Sequence, residues 1–228
     1  MEVWRRVIIE KHSDQDPIEC ADRRHPATLI VATPTDGLPR HGPPIFGLVN
    51  VRQALNDTAE YLNSLHDQTL KMMNDGASLD EIVHAVKPPA ALAEKPYLQA
   101  IYDEPQFIVR NIWRLEGGWY DGIPSHLKPA PELEQAREIA AMAGGVERLV
   151  ARANEKLAAG DLALASHLID WAASAAPDDR QVHEARAKIY TARAVQESST
   201  MSYGIFRAAA AESAQKAGIT LPENPRRY

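Results

Sequence analysis

From residue 131 to about residue 217 the chain is an almost unbroken run of alanine-rich, helix-forming sequence, interrupted by GG, AGD, APDD and SST. No other feature limits the fold so strongly. Alanine combines the highest helix propensity with a side chain small enough to let two helices approach closely. The breaks predict helices over 131–143, 146–158, 162–175, 179–197 and 202–216. Connections this short make consecutive helices antiparallel, so the expected fold is mainly α, an antiparallel helical stack.

The segment around AGD resembles one tetratricopeptide-like hairpin, with small residues at the crossing, Gly160 and Asp161 in the turn, and APDD before the next helix. No second clear copy follows, so a long repeat array is not expected. Upstream, Leu55, Ala59, Leu62, Leu65, Thr69, Met72 and Met73 fall at helical spacing in a helix that begins near Val51 and is stopped by NDG. Ser78 and Glu81 form a capping box opening a helix through Val86, and KPPA ends it. A further helix is expected over 104–115, closed by Gly117 and Gly118. Residues 1–47 differ: VWRRVII and ATLIVAT read as two strands, too few to hold a sheet alone.

Charge and composition exclude several functions. A formal net charge of −6 argues against a general nucleic-acid or membrane-surface binder. No apolar run approaches the roughly 20 residues needed to span a bilayer. MEVWRRVIIEKH has no apolar signal-peptide core, and Cys20 is the lone cysteine, so a reduced, cytoplasmic protein is expected.

Between Arg110 and Ala130 the chain concentrates aromatics, arginines and a glycine pair: RNIWRLEGGWYDGIPSHLKPA. Together with RHGPPIFG (40–47), LHDQTLKMMNDGASLDEI (65–82) and AGDLALASHLIDWAASAAPDD (159–179), this stretch resembles the alkylsulfatase branch of the metallo-β-lactamase superfamily. The resemblance covers roughly 36–217, and it is carried by the order and spacing of the segments. It implies a remnant of an α/β metallo-β-lactamase domain over 1–47, a helical alkylsulfatase-type dimerisation domain over 48–217 and a tail over 218–228. It also implies a homodimer, hydrolysis of alkyl sulfate esters and a two-metal, usually zinc, centre. His41 would be the last ligand of that centre.

The family's other metal ligands come from an HxHxDH run that this sequence lacks, and HSDQD (12–16) does not have its spacing. A catalytic zinc takes about three protein ligands plus an open position, and two metals need more. One histidine beside Arg40 cannot assemble this, so no zinc is expected on this chain alone. The chain would then be a truncated product, or a subunit completed by a separately encoded metal-binding domain. The alternative is a non-catalytic homodimerising interaction module.

Arg110 and Arg114, four residues apart on a helix, can both reach one sulfate through their planar donor forks. They can equally be surface arginines, or pair with Glu104, Glu116 or Asp121. Trp113, Trp119 and Tyr120 either line a channel for an alkyl chain or pin helices together. The family pattern commonly has Tyr where Glu116 stands and Asn where Ile123 stands. These departures imply altered substrate preference or relaxed catalytic constraint. His66 is read as a partly buried, hydrogen-bonded helix residue.

Overall fold

The computed structural model describes residues 44–223 together with the strand Asp36–Gly37. The two strands expected before residue 36, Cys20, HSDQD and His41 lie outside the described residues. The described chain is mainly helical and divides into two compact units, one ending at Ile123 and the other beginning at Pro124. The division falls inside the expected 48–217 domain, at the start of the proline-rich stretch PSHLKPAP, where helix cannot continue.

In the first unit, strand β1 (Asp36–Gly37) pairs antiparallel with β2 (Ile45–Phe46), placing Asp36 opposite Phe46. Helix α1 (Leu48–Asn74) follows. It starts three residues earlier than the apolar pattern predicts, and the Asn50 amide donates to the Phe46 carbonyl at 2.9 Å. Its buried face is Val51, Ala54, Asp57, Tyr61, Leu65 and Thr69. Leu62, expected on that face, is exposed. The expected stripe counts apolar residues, whereas the real phase in the first half is set by Tyr61 and by an aspartate drawn inward.

That aspartate is Asp57. Its carboxylate accepts from Lys95 Nζ and Tyr97 OH, each at 2.5 Å, and from Gln53 Nε2 at 2.7 Å. Burying a carboxylate is unfavourable unless it is paired and hydrogen-bonded, and here both conditions are met. The hydrogen bond from Lys95, then that from Tyr97, holds the Asp57 carboxyl below its ordinary range. The cluster fixes α1 against the 3-10 turn Pro96–Leu98.

Helix α2 (Leu79–Ala85) opens on the expected capping box: Ser78 N–H donates to Glu81 Oε2 at 2.7 Å, and Glu81 N–H to Ser78 Oγ at 3.3 Å. It stops one residue before the expected end, with Val86 as its cap. Pro88 and Pro89 separate it from the short α3 (Ala90–Ala93). Helix α4 (Pro105–Gly117) begins with proline at its first position, where no backbone donor is needed. Tyr61, Leu65, Ile82, Val83, Val86, Leu92, Val109 and Ile112 make the core, with Met72, Met73 and Trp113 at its margin. Full burial of one such aliphatic side chain is worth about 1.5–3 kcal/mol.

The second unit is the helical stack: α5 (Pro124–Leu127), α6 (Glu132–Ala143), α7 (Val146–Ala158), α8 (Leu162–Ala175), α9 (Arg180–Gln196) and α10 (Thr200–Ala217). Helices α7 and α8 have the bounds predicted from sequence, α6 begins one residue late, and α9 is one residue shorter at each end. Helix α10 begins two residues early because Ser199 caps it, its hydroxyl accepting from Ser202 N–H at 3.2 Å. Asp161 and Asp179 cap α8 and α9 in the same way. Between α6 and α7 the backbone passes through Gly144 and Gly145 at φ 88 and 115, a conformation that costs side-chain-bearing residues energy.

Helix α8 packs on α6, α7 and α9, and α9 packs along α10. Ala153, Ala165, Ala172, Ala187 and Ala210 are fully buried at the crossings, around Leu149, Ile169, Val182 and Ile189. A polar network ties three helices together. Arg186 donates to Asp170 at 2.8 Å and to Ser213 Oγ at 2.9 Å, and Tyr190 OH donates to Asp170 at 2.5 Å. Buried His183 lies 3.4 Å from Ser213 Oγ and 2.7 Å from the Pro177 carbonyl.

Candidate functional site

Helix α4 and the corner after it carry the four expected substrate-binding residues, all in the first unit. Arg110 and Arg114 stand one turn apart and both are exposed. Among the described residues neither forms an ion pair, so the expected pairing with Glu104, Glu116 or Asp121 is not made there. Glu116 instead lies 4.0 Å from His66 Nε2, and His66 Nδ1 lies 3.3 Å from Asp67. His66 is partly buried, as its place beside the α1 stripe predicts.

The corner is folded back on the helix. Gly117 is the last helical residue, not the first beyond it as expected. A β-carbon at Gly117 would stand 2.8 Å from the Met73 methyl, the free end of a flexible side chain, so a substitution there would require Met73 to shift. Gly118, at φ 86, then reverses the chain. Trp113 Nε1–H donates to the Tyr120 carbonyl at 3.2 Å, which clamps the corner onto α4. Trp119 packs edge-on to Tyr120, ring centroids 6.0 Å apart at 67°.

Trp113 is therefore half-buried against the core with its polar handle used, and Tyr120 is half-buried beneath its neighbour. Trp119 is 71% exposed, alongside Leu115 at 72% and Ile123 at 46%. Arg110 and Arg114 on α4 are exposed as well. Cationic forks and apolar side chains suit an amphiphile with an anionic head and an alkyl tail. Ile123, exposed here, is the position where the family pattern commonly has Asn.

Among the described residues no group of three or more His, Cys, Asp or Glu converges as metal ligands. The described side chains therefore do not fit a two-metal centre, and no chemistry is routed through one. A cavity of ≈ 160 Å³ lies in the second unit among Thr191, Ala194, Val195, Tyr203, Arg207 and Pro222, none of them an expected site residue. The Asp57–Lys95–Tyr97 cluster was missed in sequence because its partners stand 38 and 40 residues away, outside any local motif.

Comparison with known proteins gives consistent matches. The family described as alkyl sulfatase dimerisation matches residues 78–216. A linear primary-alkylsulfatase from a Pseudomonas species is 33% identical over 154 residues, covering 67% of this chain and 29% of that protein. An alkyl/aryl-sulfatase of Saccharomyces cerevisiae is 24% identical over 159 residues, covering 69% of this chain and 25% of its own length. The solved structure of the stereoselective inverting sec-alkylsulfatase Pisa1 from Pseudomonas sp. aligns with a TM-score of 0.71 at 25% identity, over 78% of this chain and 28% of that one. The chain thus spans less than a third of the length of these relatives.

Proposed function

Because the chain belongs to the alkyl sulfatase dimerisation family, we propose that it is the carboxy-terminal portion of an alkylsulfatase-like metallo-hydrolase. It acts as a homodimer on alkyl sulfate esters, presumes a reduced cytoplasmic setting, and is inactive alone. Its part is to supply dimerisation and one wall of the active site, with Arg110 and Arg114 holding the sulfate and the aromatic corner the alkyl chain. The metal, zinc in this reading, is held mainly by a metal-binding domain outside these residues, to which His41 adds one ligand. The observation that supports the proposal is that Arg110 and Arg114 are exposed and form no ion pair among the described residues, with Trp119 exposed five residues further along the chain. Ordinary surface arginines are exposed too, so the anion titration below decides between them.

A second reading, a non-catalytic homodimerising module, is favoured by Glu116. It stands where the family pattern commonly has Tyr, and its carboxylate faces His66 at 4.0 Å, which adds a negative charge to this end of α4. Titrating the chain with octyl sulfate, followed by tryptophan fluorescence, separates the two. The first reading expects saturable binding that weakens by about 10- to 100-fold in R110A/R114A, as for loss of charge-assisted hydrogen bonds. Octanol binding should be unchanged. Equal affinity of variant and parent for octyl sulfate would remove the site and leave the module. Alkyl sulfate turnover by the isolated, metal-analysed chain would overturn the ligand-shortage argument.

A further inference from the structure

Helix α8 sits at the centre of the second unit, packed on α6, α7 and α9. Its sequence, LALASHLIDWAASA, has one charged residue, Asp170, and that carboxylate is held by Arg186 and Tyr190. Despite three neighbours, Ala163, Leu164, His167, Trp171 and Ser174 stay exposed. Positions 164, 167, 171 and 174 form a single stripe at helical spacing, with the His167 and Trp171 rings 6.3 Å apart. No Asp, Glu, Lys or Arg stands among them. Exposed positions of the other long helices do carry charge: Glu138 on α6, Arg148 on α7, Glu184 on α9 and Glu212 on α10. A stripe facing water is ordinarily polar, so this one is built to be covered.

We infer that this stripe is where two copies of the chain meet, α8 crossing its own copy about a two-fold axis. The inference rests on the homodimer reading above and adds the face. In a two-fold interface each residue patch meets itself, so a stripe of Asp, Glu, Lys or Arg would set like charges against each other, whereas Leu164 and Trp171 with His167 and Ser174 between and beyond them do not. The family to which this segment belongs is defined by dimerisation, and its match contains the whole of α8. Tryptophan is enriched at the energetic centre of interfaces, and a charged rim around an apolar middle is their common anatomy. Helix α10 also exposes an apolar residue, Ile205, but Glu212 and Lys216 follow on the same side at seven and eleven residues.

The test uses the full chain and two paired variants, L164E/W171E and L164K/W171K, with folding checked by circular dichroism. Light scattering should show the parent as a dimer and each variant as a monomer at micromolar concentration. The dissociation constant should rise by at least about 100-fold, because like charges juxtaposed at an interface each cost more than a tenfold. Mixing the two variants should restore a dimer, whereas I205E should stay dimeric throughout. Dimeric variants, a mixture that fails to reassociate, or dissociation by I205E would each overturn the assignment of the face while leaving the homodimer intact. A monomeric parent would remove the homodimer reading and this inference together. If the charged variants misfold, spin labels at Ser174→Cys in a Cys20→Ser background decide instead. Crossed α8 helices about 21 Å long and 8–10 Å apart put the labels within roughly 30 Å, and a distance beyond about 50 Å overturns the face.

Discussion

Replacing Tyr190 by Phe should change how stability depends on alkaline pH. The ring is 7% exposed and its hydroxyl donates to Asp170 at 2.5 Å. Burial first, and then the Asp170 carboxylate, push the phenol from 10.0 up to about 12, against weaker opposing pulls from Arg186 and Arg193. A folded-state value above the unfolded one means that the native protein holds this proton more tightly. The associated stability is complete below pH 10 and is lost as pH rises through 12. Two pKa units correspond to at most about 2.7 kcal/mol, of which roughly 1.4 kcal/mol is gone by pH 11. At pH 8, Tyr190→Phe should cost about 0.5–1.5 kcal/mol, one hydrogen bond, because the half-exposed Asp170 keeps Arg186 and regains water. The parent's advantage of about 1 kcal/mol at pH 8 should therefore vanish or reverse by pH 11. Urea unfolding followed by circular dichroism at pH 8, 9.5 and 11 reads this directly. Stability curves of parent and variant that run parallel across that range would refute the reasoning.

Ile169→Ala removes a fully buried side chain from the middle of the helical stack, and urea titration should show a loss of about 2–5 kcal/mol. Ser78→Ala removes the hydroxyl that accepts from Glu81 N–H, while the Ser78 N–H bond to Glu81 Oε2 remains, and should cost about 1 kcal/mol; a change below a few tenths would mean that water substitutes fully. Asp57 has a folded-state pKa depressed chiefly by Lys95, so its stabilisation is present above the ordinary 3.8 and is lost as pH falls through the lower value. Asp57→Asn should accordingly be less stable at neutral pH yet show a shallower decline in acid, and an unchanged acid slope by fluorescence would contradict this.

The helices of the second unit were legible because their punctuation is local. Asp161, Asp179 and Gly145 signal ends through chemistry confined to one turn, and alanine at every crossing leaves little packing to misjudge. The early half of α1 was read in the wrong phase because the deciding contact is not local: Lys95 and Tyr97 turn Asp57 inward from the far side of two prolines. The corner was legible in kind, since a glycine pair followed by WYDG must fold back, but not in detail. The Met73 methyl lies close over Gly117, which no pattern around it announces. Which aromatic faces out was equally beyond the sequence, because Trp113 and Trp119 differ only in what the fold lays over them. The division at Ile123 was marked by its prolines and passed over, since composition continues evenly across it.

Helix α1 also acts as a ruler. Its first turn holds the Phe46 carbonyl through Asn50, and its last turn presses Met73 against Gly117. At 1.5 Å per residue these two points are held about 35 Å apart along one rod. An octyl or dodecyl chain is far shorter than that span, so no such molecule lying at the tryptophan corner can also touch the strand pair of its own protomer.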